Sequence, residues 1–419
     1  MRAPRISNAG WGLAIGLLAA ACAASPRSTS TALAAIDPEA TSTPLAAIEL
    51  EATSAPLPAI DPEANSNGAM YLADLQHSGV YFAGGGQPVG EVKWTFATGV
   101  GFHSSPAIAA GVGYFAAADG NLYAMDLETG QEKWRLEIGH LSSSSPAVAA
   151  GLVVVGSLDL NLYAVDVQTG QVRWTFKSGG IIESSPAISD AIVYFTSRDG
   201  YLYAVDLQNG QEKWRFNAGS EAGQSSPAIA DGVVYAATGD HEHISLYAVD
   251  LRTGLERWKF TDSDGPVNFD FSHPGVPSLG EGLAVIRRTD YVYAVDLETG
   301  QQRWKFKTDR SIYAAPAIDN GVVYFGANLL STGFVLGLDA QTGEEVWKFE
   351  TGVNTVSPSI SGGVGYFWSG AGFQAVELST GKELWNFQAK PDAWYLPAPA
   401  IVDGVVYLGD KDGNVYALK

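Results

Sequence analysis

The chain has 419 residues, with 45 acidic against 25 basic side chains and a formal net charge of −20. Nucleic acids and anionic membrane surfaces bind to basic faces, so this balance argues against both as partners of the folded body. The only cysteine, Cys22, cannot form an internal disulfide, and a chain of this length can be held together by a hydrophobic core instead.

The first 22 residues have the pattern of an export signal. Arg2 and Arg5 form a positive start, and residues 11–21 form a short apolar run that ends in small residues. Such a run is too short to span a bilayer as a helix. Cys22 follows the small residues directly, which resembles a bacterial lipoprotein signal, in which the cysteine becomes the lipidated first residue. The alternative is ordinary cleavage near residues 21–24. We expect an exported chain, anchored through lipid on Cys22 at the periplasmic or cell-surface side of a membrane.

Residues 23–69 are rich in Ala, Thr, Ser, Pro and Glu and contain a degenerate repeat, read as LAAIDPEATSTP, LAAIELEATSAP and LPAIDPEANSNG. The prolines prevent a long helix, and the apolar area is too small to offset the entropy of the chain. We expect a disordered tether that holds a folded body, residues 70–419, away from the membrane.

A unit of about 40 residues then repeats, and residues 198–219 (RDGYLYAVDLQNGQEKWRFNAG) contain its most regular part. Two strand signals are separated by an Asn-Gly turn, and Asp206 is placed to accept hydrogen bonds from the amides of that turn. The unit recurs around Asp126/Trp134, Asp166/Trp174, Asp250/Trp258, Asp296/Trp304, Asp339/Trp347 and Glu377/Trp385.

The spacing of the repeat tryptophans predicts an all-β, eight-bladed β-propeller of four-stranded antiparallel blades. Successive tryptophans are separated by 40, 40, 40, 44, 46, 43 and 38 residues, and each interval contains four short strand signals. The inner strands are apolar nearly throughout, as burial on both faces requires. The chain ends one strand short of a blade, and the strand at residues 91–96 lacks three strands before it. We expect these two fragments to pair and close the ring.

The pattern Ala-x-Asp-x-x-x-Gly-x-x-x-Trp, as in Ala124, Asp126, Gly130 and Trp134, resembles the tryptophan-docking motif of pyrroloquinoline-quinone (PQQ) repeat propellers. Residues 71–81, which include Gln76-His77-Ser78-Gly79, resemble the segment that leads into the first blade of such proteins. The resemblance implies that the repeat tryptophans pack between neighbouring blades. These structural residues are Trp94, Trp134, Trp174, Trp214, Trp258, Trp304, Trp347 and Trp385.

The two ends of a propeller differ in their loops. The blade-to-blade loops and the Asp-Gly hairpins are expected on one end, called the loop end here, and the Thr-Gly turns on the other, the turn end. Function in such folds usually lies on loops, and the loop end is the more variable of the two. The alternative is that these loops are polar only because they are exposed. The candidate binding residues there are His103, His140, Glu183, Arg310, Tyr313, Asp392, Trp394 and Tyr395.

Two longer intervals flank Trp258 and contain His241, His243, Asp270 and His273, together with Asp262 and Asp264. Nitrogen and carboxylate ligands of this kind could hold a divalent metal ion if the two loops meet. A loop that merely packs on the rim is the alternative.

Two classes of function remain open within the resemblance. Quinone-dependent dehydrogenases hold PQQ and calcium with acidic and amide ligands, whereas BamB-type lipoproteins are lipid-anchored envelope proteins. The chain has no cysteine pair, no haem-attachment motif and unusually uniform blades. We therefore favour a monomeric, non-catalytic scaffold without a cofactor, which binds a protein partner in the cell envelope or at the cell surface. A PQQ- and calcium-dependent dehydrogenase of alcohols or sugars, or a sensor of a ligand or metal, is the alternative.

Overall fold

Turn residues bound every short apolar segment of the repeat, so the chain folds into short strands rather than long ones. The computed structural model describes residues 72–419 except 82–85, 103, 140–142, 220–222, 224, 240–242, 263, 265–274, 310, 313–314, 330–331, 353–355, 357 and 389–396. These residues belong to the unit Leu57–Lys419, and the other unit, Met1–Pro56, lies outside them. Within the described ranges, no helix is long and apolar enough to cross a membrane.

Two strands, β1 (Val80–Tyr81) and β2 (Val92–Ala97), precede the first complete blade. Blade 1 contains β3 (Ala107–Ala109), β4 (Val112–Ala116), β5 (Asn121–Asp126) and β6 (Glu132–Glu137). Blade 2 contains β7 (Ala147–Ala149), β8 (Leu152–Gly156), β9 (Asn161–Asp166) and β10 (Val172–Lys177). Blade 3 contains β11 (Ala187–Ser189), β12 (Ile192–Thr196), β13 (Tyr201–Asp206) and β14 (Glu212–Asn217). Blade 4 contains β15 (Ala228–Ala230), β16 (Val233–Gly239), β17 (Ile244–Asp250) and β18 (Glu256–Thr261).

The remaining blades follow the same order. Blade 5 contains β19 (Ser278–Gly280), β20 (Leu283–Arg288), β21 (Tyr291–Asp296) and β22 (Gln302–Lys307). Blade 6 contains β23 (Ala317–Asp319), β24 (Val322–Leu329), β25 (Thr332–Asp339) and β26 (Glu345–Thr351). Blade 7 contains β27 (Ser359–Ser361), β28 (Val364–Ser369), β29 (Gly372–Glu377) and β30 (Lys382–Phe387). Blade 8 contains β31 (Ala400–Val402), β32 (Val405–Gly409), β33 (Asn414–Leu418) and β2.

Each blade is an antiparallel meander with its shortest strand innermost, and the eight blades form a ring. Strand β2 supplies the outermost strand of blade 8: it pairs antiparallel with β33, with Trp94 opposite Ala417 and Phe96 opposite Val415. The prediction of eight blades, closed by strands from the two ends of the propeller, is therefore confirmed. This closure leaves no unpaired edge at the join.

Burial explains the two sequence patterns within a blade. The second strands are buried on both faces, as in β8, where Val153, Val154 and Val155 are all fully buried. The outermost strands alternate between exposed and half-buried residues, as in β14. Neighbouring blades therefore share continuous apolar cores, and the rim of the ring faces solvent.

The predicted turn chemistry is present between the third and fourth strands. In blade 3, Asp206 Oδ1 accepts hydrogen bonds from the amides of Gln208 at 3.0 Å and Asn209 at 3.2 Å. Gly210 adopts a φ of +70°, which favours glycine. In blade 1, bonds from the Thr129 amide, the Lys133 ammonium and the Thr129 hydroxyl lower the pKa of Asp126 to about 2. These turns hold the glycine against the neighbouring blade.

Candidate functional site

The hydrogen bonds define two chemically different ends of the ring. At the loop end, blade-to-blade loops bond to the hairpins between second and third strands, as in the bond from the Ile138 amide to the Gly120 carbonyl at 2.8 Å. At the turn end, the turns between third and fourth strands bond to the hairpins between first and second strands, as in the bond from Leu127 to Gly111 at 3.0 Å.

The segment at residues 72–81 lies along the inner wall of the ring. Its carbonyl groups accept one backbone hydrogen bond from the innermost strand of each of blades 4 to 7, with distances of 2.7–2.9 Å. The pairs are Ile229 to Leu75, Leu279 to Gln76, Ile318 to Ser78 and Ile360 to Gly79. Strand β1 continues the segment by pairing parallel with β27, and the Tyr81 hydroxyl reaches blade 8 by donating to the Pro399 carbonyl at 3.0 Å. The segment therefore covers the inner strands of four blades with its backbone and reaches a fifth blade through one side chain.

His77 lies at the centre of this segment and is only 2 % exposed. Burial lowers its pKa to about 4, although a hydrogen bond with the backbone of Pro277 opposes the shift. The turn that contains it is closed by Asp74, which accepts bonds from the Ser78 amide and hydroxyl. The histidine is thus held neutral inside the ring.

Most of the predicted loop-end residues lie outside the described residues. These are His103, His140, Arg310, Tyr313, Asp392, Trp394 and Tyr395. Glu183 is described, and its carboxylate forms an ion pair with Arg198 of the same blade. Cys22 and three of the predicted metal ligands, His241, Asp270 and His273, also lie outside.

The described part of the predicted metal region is a network of ion pairs between blades 4 and 5. Asp262, whose side chain is fully buried, pairs with the buried Arg288 of the next blade and accepts a 2.7 Å hydrogen bond from the Ile244 amide. His243 Nδ1 lies 3.6 Å from Asp262 Oδ1. The carboxylate of Asp262 is therefore already balanced by a cation.

Asp264 completes this network. Its carboxylate accepts bonds of 2.6 Å from the Tyr293 hydroxyl and from the Lys305 ammonium, both of blade 5. Partial burial opposes ionisation, but these two donors outweigh it and lower the pKa of Asp264. In blades 1, 2, 3 and 8 the equivalent tyrosine donates to an aspartate of its own hairpin. In blade 5 the tyrosine therefore bonds to an aspartate outside its own hairpin, and this bond joins two blades.

These contacts do not fit a calcium or quinone site. Such a site needs several uncommitted acidic or amide ligands, whereas Glu183, Asp262 and Asp264 are all paired with cations. Among the residues that the structure describes, no group of three or more His, Cys, Asp or Glu side chains could hold a metal ion.

The turn end contains the junctions made by the repeat tryptophans. Seven of the eight indole Nε1 atoms donate to a backbone carbonyl of the next blade, at 2.7–3.2 Å. The acceptors are Leu127 for Trp94, Val167 for Trp134, Leu207 for Trp174, Leu251 for Trp214, Leu297 for Trp258, Ala340 for Trp304 and Pro88 for Trp385. The turn glycine of the next blade packs directly on the indole: a Cβ on Gly343 would lie 2.7 Å from the ring of Trp304.

Trp347, between blades 6 and 7, departs from this arrangement. A Cβ on the corresponding Gly381 would lie 3.7 Å from the Trp347 Nε1 atom, and no described residue of blade 7 accepts a hydrogen bond from the indole. Its ring is inclined at 80° to that of Tyr324, whereas five equivalent Tyr–Trp pairs are inclined at 42–52°. It stacks instead on Phe349, at 16°. Blades 6 and 7 are therefore joined less closely on the turn end.

A cleft of about 430 Å³ opens at this junction. Its lining includes Asp319, Asn320 and Tyr324 from blade 6, Glu377 and Leu384 from blade 7, and Gln87 from the strand connection that leads into blade 8. Gln87 spans the cleft's edge, because it donates to the Gly362 carbonyl at 3.2 Å and accepts from the Tyr366 hydroxyl at 2.7 Å. Volumes of this size are typical of small-ligand pockets.

A family model described as outer membrane protein assembly factor BamB matches four overlapping segments of the chain, residues 86–178, 174–290, 245–361 and 288–419. Together they cover all eight blades. The chain belongs to the BamB family. A comparison with curated protein sequences gives no match.

Solved structures share the BamB-family fold at low sequence identity. BamB from Moraxella catarrhalis is 17 % identical with a TM-score of 0.63, over 79 % of this chain and 100 % of that one. A quinohemoprotein alcohol dehydrogenase from Comamonas testosteroni is 15 % identical with a TM-score of 0.72, over 86 % and 82 %. A europium-containing methanol dehydrogenase is 15 % identical with a TM-score of 0.68, over 83 % and 91 %. Because an assembly factor and dehydrogenases share this fold, the fold alone does not decide the function.

The sequence placed the candidate site of this BamB-family chain on the loop end and missed the cleft on the turn end. The sequence did contain a signal, because Glu377 is the one position at which another acid replaces the aspartate of the repeated Ala-x-Asp motif. The residue before the docking tryptophan also changes there, from Lys or Arg in blades 1 to 5 to Val346 and Leu384 in blades 6 and 7.

Proposed function

We propose that this chain is an exported, lipid-anchored, non-catalytic propeller that serves as a protein-interaction scaffold in the cell envelope. Its membership of the BamB family supports an assembly role there, because that family's description names an outer membrane protein assembly factor. The lipid anchor rests on Cys22 and the signal pattern before it.

The segment at residues 72–81 carries the non-catalytic part of the proposal. Its carbonyl groups bind the amides of the innermost strands in blades 4 to 7, and His77 is buried among them. Inner-wall backbone that is satisfied by the protein itself does not need a ligand. The two ends and the rim of the ring are then the surfaces left for a partner.

Site-specific photo-crosslinking in cells tests the scaffold role. A photoreactive residue is placed at exposed positions of the loop end and of the turn end, one at a time, and crosslinked partners are identified by mass spectrometry. We expect one envelope protein to crosslink from adjacent positions of one end and not from the opposite end. Crosslinks spread evenly over both ends, without a recurrent partner, would contradict the proposal.

A dye-linked assay with PQQ and calcium tests the enzyme alternative on the same protein. We expect no oxidation of alcohols or aldoses. Oxidation of a defined substrate that is lost in Asp270→Asn or Asp392→Asn would replace the scaffold by a quinoprotein dehydrogenase.

A further inference from the structure

The cleft between blades 6 and 7 lies where a repeated ion pair has been lost. In blades 1 to 5 the turn aspartate pairs with the Lys or Arg that immediately precedes the docking tryptophan, at 2.5–3.2 Å. The pairs are Asp126–Lys133, Asp166–Arg173, Asp206–Lys213, Asp250–Arg257 and Asp296–Arg303.

Blade 7 keeps the acid and loses its cation. Glu377 takes the place of the aspartate, and Leu384 takes the place of the Lys or Arg before Trp385. The Glu377 carboxylate accepts a bond from the Thr380 hydroxyl and forms no ion pair with any described residue. Blade 6 has the same substitution, with Val346 in place of the cation that would face Asp339. The turn acids of blades 6 and 7, Asp339 and Glu377, therefore lack the Lys or Arg before the docking tryptophan that blades 1 to 5 supply.

A second carboxylate, that of Asp319, lines the cleft together with Glu377. Asp319 lines it from blade 6, where burial raises the pKa of its side chain and the Asn320 amide donates to it at 3.0 Å. A cation close to Asp319 would offset the cost of burying this charge.

The remaining walls of the cleft are partly apolar. Val364 and Leu384 line it, and Leu384 is 43 % exposed. A site with an aliphatic wall and carboxylates at one side is complementary to a group with a hydrocarbon stem and a cationic head.

We propose that the cleft between blades 6 and 7 binds a lysine or arginine side chain of the protein partner, so that the partner supplies the cation missing from the blade 7 turn. This assignment rests on the proposed scaffold function and names the chemistry by which the partner is recognised. The stem packs on Leu384 and Val364, and the ammonium or guanidinium group binds Glu377 and Asp319.

Titration of the purified full-length protein with three probes tests this assignment. The probes are a short peptide with one central lysine, the same peptide with norleucine in its place, and free cadaverine. We expect the lysine peptide to bind and the norleucine peptide not to bind. Cadaverine should bind at least tenfold more weakly than the lysine peptide, because it lacks the peptide backbone.

Two variants make the test specific. Glu377→Gln removes the charge of the side chain at nearly constant shape. It should weaken the binding of the lysine peptide about tenfold, as the loss of a charged hydrogen bond does. Leu384→Lys restores the residue found in blades 1 and 3 and should abolish binding, because the chain then supplies its own cation. Lys213→Leu, in blade 3, is the matched control: it frees Asp206 where the docking of Trp174 is intact, and it should create no new binding.

The outcomes separate this inference from the scaffold role. Equal binding of the lysine and norleucine peptides, or unchanged binding in Leu384→Lys with an unchanged melting curve, would overturn the cation site. Cadaverine that binds as tightly as the peptide would make the cleft a small-amine site and overturn the partner assignment.

In cells, a crosslink from the turn end that is lost in Leu384→Lys supports both the cation site and the scaffold role. A recurrent crosslink that persists unchanged in this variant would contradict the cleft while leaving the scaffold role intact.

Discussion

The amide of Ile229 donates a 2.7 Å hydrogen bond to the carbonyl of Leu75, a residue 154 positions earlier in the chain. It is the first of four bonds by which one short segment reaches the inner strands of four successive blades. Contacts between residues so far apart in the sequence carry a large loop-closure entropy cost, which slows their formation. The segment therefore links ring closure to the burial of His77.

Acid is expected to destabilise the protein through His77. The folded state holds this imidazole neutral, with a pKa of about 4 against an ordinary value of 6.5. The unfolded chain takes up a proton below pH 6.5, so stability from the neutral histidine is complete above that pH and is lost as the pH falls toward 4. By pH 5.2 the loss should reach roughly 2 kcal/mol.

Urea unfolding of wild type and His77→Gln at pH 7.5 and 5.2 measures this effect. The difference between the two proteins isolates His77, because the other histidines and Asp74 titrate in both. We expect that difference to shrink by roughly 2 kcal/mol at the lower pH. A difference that does not change with pH would show that the buried imidazole is not the titrating group.

Ring closure by β2 and β33 predicts the effect of a C-terminal deletion. Removal of residues 410–419 takes away the strand that pairs with Trp94 and Phe96 and leaves two unpaired edges. We expect loss of cooperative unfolding, or aggregation through the exposed edges. Deletion of residues 2–64 from a cytoplasmically expressed chain is the control and should leave the melting curve unchanged. A cooperative transition at the wild-type temperature after the C-terminal deletion would contradict the closure.

The repeat made the fold predictable to the level of strand pairing. Tryptophan spacing gave the blade count, and the incomplete units at residues 91–96 and 414–418 gave the closure, because an orphan strand must find a partner. The parallel pairing of β1 with β27 was not predicted, although residues 71–81 stood out as a lead-in segment. Two residues, Val80–Tyr81, carry too little pattern to specify a partner.

Sequence reasoning located less of the candidate site. It looked for variable loops with histidines and acids, and it could not see that Asp262 and Asp264 are paired with Arg288 and Lys305 of the next blade. The cleft lies at the junction where the indole of Trp347 departs from the orientation of the other docking tryptophans, and no local pattern encodes that orientation. What the sequence does contain is the change at Glu377 and Leu384, and this becomes meaningful once the cleft is seen beside them.

Two docking tryptophans of adjacent blades should differ in their contribution to stability. Trp304 is 7 % exposed and bonds to the Ala340 carbonyl at 2.7 Å, whereas Trp347 makes no such bond within the described part of blade 7. Trp304→Ala should cost about 3–5 kcal/mol, as the loss of a buried aromatic side chain does. Trp347→Ala should cost at least about 1 kcal/mol less, since no hydrogen bond is lost. Chemical unfolding of both variants measures this, and equal costs would show that Trp347 docks like the others.

The lipid anchor predicts where the protein is found. If Cys22 is lipidated, the wild type should partition into detergent with the membrane fraction, and Cys22→Ser should release it. Limited proteolysis should cut between residues 23 and 69 before it cuts the blades, because unpaired backbone is accessible. Wild-type protein that remains in the soluble fraction would rule out the anchor.

The ion pair between Asp262 and Arg288 should stabilise the junction of blades 4 and 5. Both side chains are buried, at 0 % and 2 % exposure, so removal of either partner leaves a charge without its counterion. Arg288→Met should cost about 3–5 kcal/mol. Asp262→Asn keeps an acceptor for the Ile244 amide, so its cost reflects the lost charge. The double variant should cost at least about 2 kcal/mol less than the sum of the two, because it buries neither charge alone. The control is the exposed pair Glu212 and Arg215, which lie 3.8 Å apart. Glu212→Gln combined with Arg215→Met should show a coupling energy of no more than about 0.5 kcal/mol.

The free energies of unfolding of the six variants give both coupling energies. Equal coupling in the two pairs would mean that the buried network does not hold the blades together.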